Sequence, residues 1–395
     1  MTDVRVIDSD GLDAAIAVLR RRGYEVLGPT LRDDVVTYAP IESVADLPAG
    51  RGDEQAPAHY RSRARGDDAL FGYAAPVQSA RARFFPADEL LWTSRPAPDD
   101  QATPVIERPA AQHRPVAYVG LRSCDLAALR QQDRILTERR YADVAYAGRR
   151  EGAFLIAVTC SDPAATCFCA SLGTGPAPGE GADVAITEIV GDGPHRFVAT
   201  PGSPRGLDLL DAVGAAPATD EDAAAARRVE RRAVTRMGRE LRTDDLVGVL
   251  YASAESAHWD AVGDRCLACS NCTLVCPTCF CTTITDAGDL TGSAAERHRV
   301  WASCFTRDYS YIHGGSVRTS VRSRYRQWLT HKLAAWQVQF GEVGCVGCGR
   351  CITWCPAGID LTAEVATLRA GVTALRSAPA KPAAAAPTAE RRAEP

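Results

Sequence analysis

The stretch C-L-A-C-S-N-C-T-L-V-C-P at residues 266–277 sets Cys266, Cys269, Cys272 and Cys276-Pro277 in a C-x2-C-x2-C-x3-C-P run. Residues 345–356, C-V-G-C-G-R-C-I-T-W-C-P, repeat it with Cys345, Cys348, Cys351 and Cys355-Pro356. Three thiolates on one tight loop reach three corners of an iron-sulfur cubane, while the fourth cysteine of such a run points toward the other cluster. The spacing therefore predicts one 4Fe-4S cluster on Cys266, Cys269, Cys272 and Cys355, and a second on Cys345, Cys348, Cys351 and Cys276. Each proline turns the chain and removes a backbone donor that would compete at the site. Zinc also accepts four thiolates, but zinc ribbons pair two C-x2-C knuckles and do not use a run of this form.

A long stretch, Pro277 to Gly344, separates the two runs, so crossed ligation requires the second half to fold back over an inserted helical region. Within that insertion Arg318, Arg322, Arg324, Arg326 and Lys332 fall on one helical pattern with Tyr325, Trp328 and Leu333. Such a run reads first as a solvated face; the alternatives are docking an acidic partner or offsetting the negative clusters. His258, His298, His313 and His331 read as ordinary hydrogen-bonded histidines.

Seven of the fifteen cysteines lie outside the two runs: Cys124, Cys160, Cys167, Cys169, Cys279, Cys281 and Cys304. Their odd total and their grouping argue against a disulfide framework. Pro115 to Gly120 reads as a strand running into a helix from Asp125 to Leu136, which sets Cys124 at a strand-to-helix turn. Phe154 to Cys160 repeats the pattern, with Cys167 and Cys169 in the loop beyond. Because α/β sheets gather their binding loops at strand ends, Cys124, Cys160, Cys167 and Cys169 are candidate ligands of a third cluster, with Cys279 and Cys281 as alternative ligands. The competing reading is that they are small buried hydrophobes.

The chain divides into a mixed α/β domain over 1–218, a charged connecting helix over 219–243, a mostly helical two-cluster ferredoxin-like domain over 244–376, and an Ala/Pro-rich tail over 377–395 expected to be disordered. Ala182 to Val190 and His195 to Thr200 read as a hairpin across Gly191-Asp192-Gly193-Pro194. Arg51 to Asp68 and Pro96 to Pro109 are polar and lack an apolar period, so both are expected to be surface loops. The short Gly173-Thr174-Gly175 lacks the third glycine, the helix and the spaced acid of a dinucleotide site.

A net charge of −4 over 395 residues marks neither a nucleic-acid nor a membrane-surface binder. No apolar run is long enough to span a bilayer, and the N-terminus lacks a secretion signal, so a cytoplasmic protein is expected.

Three segments, G-L-R-S-C-D-L-A-A-L (Gly120 to Leu129), T-C-F-C-A-S-L-G-T-G-P (Thr166 to Pro176) and C-T-L-V-C-P-T-C-F-C (Cys272 to Cys281), together resemble one family. It is the iron-sulfur beta subunit of cytoplasmic NADP-linked nickel-iron hydrogenases, the sulfhydrogenases, a family that also includes the iron-sulfur electron-transfer protein of anaerobic sulfite reductase. The similarity runs from Phe71 to Leu368. It implies a subunit that is not itself the catalyst, relaying electrons between a flavin subunit that exchanges hydride with NAD(P)H and the nickel-iron hydrogenase small and large subunits. The alternatives are the corresponding electron-transfer protein of an anaerobic sulfite reductase, a stand-alone iron-sulfur oxidoreductase binding its own flavin, and a redox sensor with structural clusters.

Overall fold

Two kinds of hydrophobic pattern in the sequence produce two kinds of core. A computed structural model describes residues 3–97, 103–109, 114–137, 140–191, 193–291 and 293–377. Its first strands are β1 (Arg5–Ile7), β2 (Glu25–Arg32), β3 (Val35–Pro40), β4 (Arg51–Ala56), β5 (His59–Ala64), β6 (Asp88–Pro96), β7 (Pro104–Glu107) and β8 (Val116–Arg122). They are followed by β9 (Phe154–Val158), β10 (Val184–Ile189), β11 (Arg196–Pro201), β12 (Ala216–Pro217), β13 (Thr282–Gly288), β14 (Ala295–Trp301), β15 (Tyr311–Ile312) and β16 (Gly315–Ser316).

One eight-stranded sheet, in the order β12-β1-β11-β10-β9-β8-β2-β3, forms the frame of the α/β part. Its centre, β2-β8-β9-β10, is parallel, and antiparallel strands close both sides. Central parallel strands buried on both faces read as unbroken apolar runs, which is how Val116 to Leu121 and Phe154 to Val158 appear. The pleat then sorts them. Ala117, Val119, Phe154, Ile156 and Val158 face the helices Ser9–Arg21 and Pro204–Ala212, whereas Val116, Tyr118, Leu155 and Ala157 face Ser123–Leu136 and Val144–Glu151.

The second core is helical and aromatic. Leu246, Val249, Trp259, Val262, Tyr325, Trp328, Leu329 and Leu333 pack together, with the thiols of the two cysteine runs against their edge. The two parts of the chain share a further sheet, β13-β14-β6-β7, in which the hairpin from the insertion pairs antiparallel with β6 from the N-terminal half.

Two expected loops are partly strands. Arg51 to Asp68 holds the β4-β5 hairpin, and Pro96 to Pro109 supplies the end of β6 and all of β7. Their outer faces are polar and exposed, so no apolar alternation announces them; backbone pairing and the stacking of Tyr60 on Trp354, with ring centroids 5.1 Å apart, hold β4-β5 in place. The hairpin expected at 182–200 forms as β10-β11, and the charged helix expected from Thr219 forms as Asp220–Thr235. Of the tail, residues 378–395 lie outside the described residues. No helix among the described residues is long and apolar enough to cross a membrane.

Candidate metal centres

The two cysteine runs fold into the same loop twice. Ala268 and Ser270 adopt positive φ of 50° and 70°, and Gly347 and Gly349, at the equivalent positions, adopt 62° and 73°. In each loop the amide two residues after the first cysteine points back at that sulfur: Ala268 N lies 3.4 Å from Cys266 Sγ and Gly347 N lies 3.5 Å from Cys345 Sγ. Amides turned toward sulfur are the arrangement that steadies thiolate ligands and tunes a bound cluster.

The structure brings cysteines of the two runs close together. Cys266, Cys269, Cys272 and Cys355, together with Cys351 of the second run, line one cavity, shared with Tyr325, Trp328 and Ile359. Burial and the neighbouring charges of Cys304, Cys266, Cys355 and Cys269 push the Cys272 thiol well above its ordinary value. Cys276 lies near the other loop: burial and the charges of Cys345, Cys348, Cys276 and Cys272 likewise raise the Cys351 thiol. Thiols gathered this closely repel as thiolates unless cations lie among them, and iron supplies those cations. Among the described residues no three His, Cys, Asp or Glu side chains converge on a point that one ion would occupy.

The two sets differ in exposure. Cys269 is exposed, with Leu267 and Leu274 exposed nearby, while Cys276, Cys345 and Cys348 are buried. Arg81, 4% exposed, reaches from the N-terminal half to cap the carbonyl groups of Leu274 at 2.8 Å and Cys279 at 2.7 Å, and its guanidinium lies 3.5 Å from the centre of the Trp301 ring. It thereby satisfies the C-terminal carbonyls of the short helix Asn271–Leu274 that leads into Cys276.

The basic run of the insertion is not a solvated face throughout. Arg324 is buried and donates to the Phe305 carbonyl at 2.6 Å. Lys332 is 5% exposed, and its Nζ lies 3.3 Å from Cys276 Sγ, 2.9 Å from Thr278 Oγ1 and 2.9 Å from the Gly344 carbonyl. Lys332 sits in a single π-helical turn, His331–Ala335, between the helices Val321–Thr330 and Trp336–Phe340. The extra residue of that turn rotates positions after it off the α-helical register, which a 3.6-residue period does not reveal.

Cys124 opens the helix after β8, and Cys160 lies just past the end of β9, as the strand-end pattern predicts. Cys124, Cys160, Cys167 and Cys169 are all buried. Besides burial, the charges of Cys169, Cys160 and Cys348 raise the Cys167 thiol, and Cys124 is raised in the same way by Asp125, Cys348 and Cys169. The quartet therefore lies against the second loop: Cys167 Sγ is 3.7 Å from the Cys348 carbonyl, and Phe168 N donates to the Gly347 carbonyl at 2.9 Å. Cys279 and Cys281 do not join it; their neighbours are Cys276, Lys332, Cys304 and Tyr309.

Between the quartet and the second loop lies a wholly buried ion pair. Arg350 Nη2 donates to Asp125 Oδ2 at 2.9 Å and Nη1 lies 2.8 Å from Oδ1, both side chains being 0% exposed. Deeper still, Arg122 donates to the carbonyls of Phe71 at 2.8 Å, Ala74 at 3.2 Å and Tyr73, fixing the Phe71–Ala74 segment over the strand ends.

The family of 4Fe-4S dicluster domains matches residues 265–359, covering both loops and the insertion. The chain is 30% identical over 263 residues to the sulfhydrogenase 2 subunit beta of Pyrococcus furiosus, an alignment covering 64% of this chain and 74% of the relative. No solved structure matches at a significant level.

Proposed function

This chain belongs to the family of the sulfhydrogenase beta subunit, and we propose that it carries electrons between a flavin subunit handling NAD(P)H and the small and large subunits of a nickel-iron hydrogenase. As a family member it is an iron-sulfur electron-transfer protein with a 4Fe-4S dicluster domain. The observation that supports a two-cluster assignment is the intermingling of the two runs, Cys355 and Cys351 lining the cavity of the first loop and Cys276 lying near Cys345, Cys348 and Cys351. In this reading Cys266, Cys269, Cys272 and Cys355 hold one cluster, and Cys345, Cys348, Cys351 and Cys276 the other. Bound there, the clusters supply one-electron transfer at potentials set by burial and hydrogen bonding.

The residues favour a line of sites running inward. Cys269, exposed beside Leu267 and Leu274, gives the first set a face for exchange with a partner. The thiols of Cys272 and Cys351 are near enough to affect each other electrostatically, and Cys348 stands likewise to Cys167 and Cys169. Cys124, Cys160, Cys167 and Cys169 would hold a third 4Fe-4S cluster at the inner end of that line. The α/β part over 1–218 and the connector over 219–243 then serve as the frame for a mostly helical two-cluster unit over 244–376, working in the cytoplasm without nucleic acid or a membrane span.

Anaerobic purification through a tag on this chain tests the reading. Co-elution with stoichiometric nickel and a flavin subunit is expected. Co-elution with sirohaem and no nickel would redirect the assignment to a sulfite-reducing complex, and flavin bound to this chain alone would make it a self-contained oxidoreductase.

A further inference from the structure

The register of one hairpin brings three cysteines that neither ferredoxin-type loop uses around a single cavity. In β13-β14, Thr282 pairs with Trp301, and the Ala302 amide donates to the Cys281 carbonyl at 2.9 Å. That closure sets Cys304, two residues beyond Ala302, opposite Cys279 and Cys281. The three line a cavity walled by Trp328, His331 and Trp336.

We propose that Cys279, Cys281 and Cys304 bind an additional iron-sulfur cluster, distinct from the two ferredoxin-type clusters and from any held by the strand-end quartet. Several features fit such an occupant. The cavity is set among aromatic side chains and beneath the buried Lys332, whose positive charge offsets that of anionic sulfur. It also adjoins both ferredoxin-type sets: the charges of Cys279 and Cys276 act on each other, and that of Cys304 acts on Cys272. With only three cysteines, one iron is left to a non-cysteine ligand, and the His331 imidazole lines the same cavity. The ligand set shares no residue with the two-cluster assignment, so either can fail alone.

The test compares the full chain, purified anaerobically, with its Cys281→Ser/Cys304→Ser variant. The variant is expected to lose about four iron and four sulfide per chain while the EPR signals of the two ferredoxin-type clusters keep their intensity. An unchanged iron and sulfide count overturns the proposal, as does zinc found in place of the lost iron. Native alkylation followed by mass spectrometry gives a second reading that needs no variant. Cys279, Cys281 and Cys304 of the wild-type chain are expected to resist labelling until iron is chelated; ready labelling of the partly exposed Cys281 before chelation overturns the proposal. Loss of the ferredoxin-type signals from wild-type protein would instead count against the two-cluster assignment.

Discussion

Lys332 Nζ lies 3.3 Å from Cys276 Sγ in the interior of the protein, a buried cation set against a thiol that arrives from the other cysteine run. Taking an ammonium out of water is costly unless charge and hydrogen bonds compensate it; the thiol, the Thr278 hydroxyl and the Gly344 carbonyl do so here. A positive charge this close favours the reduced, more negative state of whatever Cys276 ligates. Lys332→Met is therefore expected to lower the potential of the cluster on Cys345, Cys348, Cys351 and Cys276 by on the order of 100 mV, from a charge acting over a few ångströms at intermediate dielectric. Redox titration followed by EPR checks this, and the other ferredoxin-type signal should move far less.

The two loops tolerate opposite substitutions. A Cβ on Gly347 would lie 2.6 Å from the Cys169 backbone, in addition to the cost of a positive φ, and one on Gly349 would lie 2.6 Å from the Thr166 carbonyl. Ala268 and Ser270 already carry side chains at the equivalent places. Gly347→Ala is expected to lose the second cluster or the fold around it. Ala268→Gly, which relieves a left-handed residue worth roughly 1–2 kcal/mol at the expense of glycine's chain entropy, should leave cluster content intact. Iron content and visible absorbance of the two variants decide between them.

The Asp125–Arg350 pair sets a double-mutant cycle. Removing one partner strands a charge with no access to water, so Arg350→Met is expected to destabilise the protein by about 3–5 kcal/mol, and Asp125→Asn combined with Arg350→Met should recover most of that loss. Apparent thermal midpoints of the four proteins, each with matched iron content, provide the measurement. A double variant no more stable than Arg350→Met would show that the pair is not the coupled unit its geometry indicates.

How much of the molecule is legible in sequence depends on whether the signal is local. The cysteine spacing is, because three thiols on a tight loop need a fixed interval, and so are the apolar runs of β8 and β9. The polar hairpins are not: β4-β5 and β6-β7 have few buried side chains of their own, and what anchors them is distant in the chain, Trp354 stacked on Tyr60 and β14 paired with β6. Lys332 reads as one charge in a solvated run, since the π-helical turn that directs it inward leaves no periodic trace. Cys304 has no motif around it, and only the hairpin register links it to Cys281. Gly347 and Gly349 do carry a sequence clue: glycine at both intervening positions of the second loop, where the first has Ala268 and Ser270, implies something packed tightly against it.

The crossing of the two runs is tested most directly by EPR of the reduced protein in three single variants, Cys266→Ser, Cys345→Ser and Cys355→Ser. If the cavity lined by Cys266 and Cys355 holds the first cluster, Cys355→Ser alters the same signal as Cys266→Ser and leaves the one altered by Cys345→Ser in place. If Cys355→Ser instead alters the signal of Cys345→Ser, each run ligates its own cluster, and the crossed arrangement of sites is wrong.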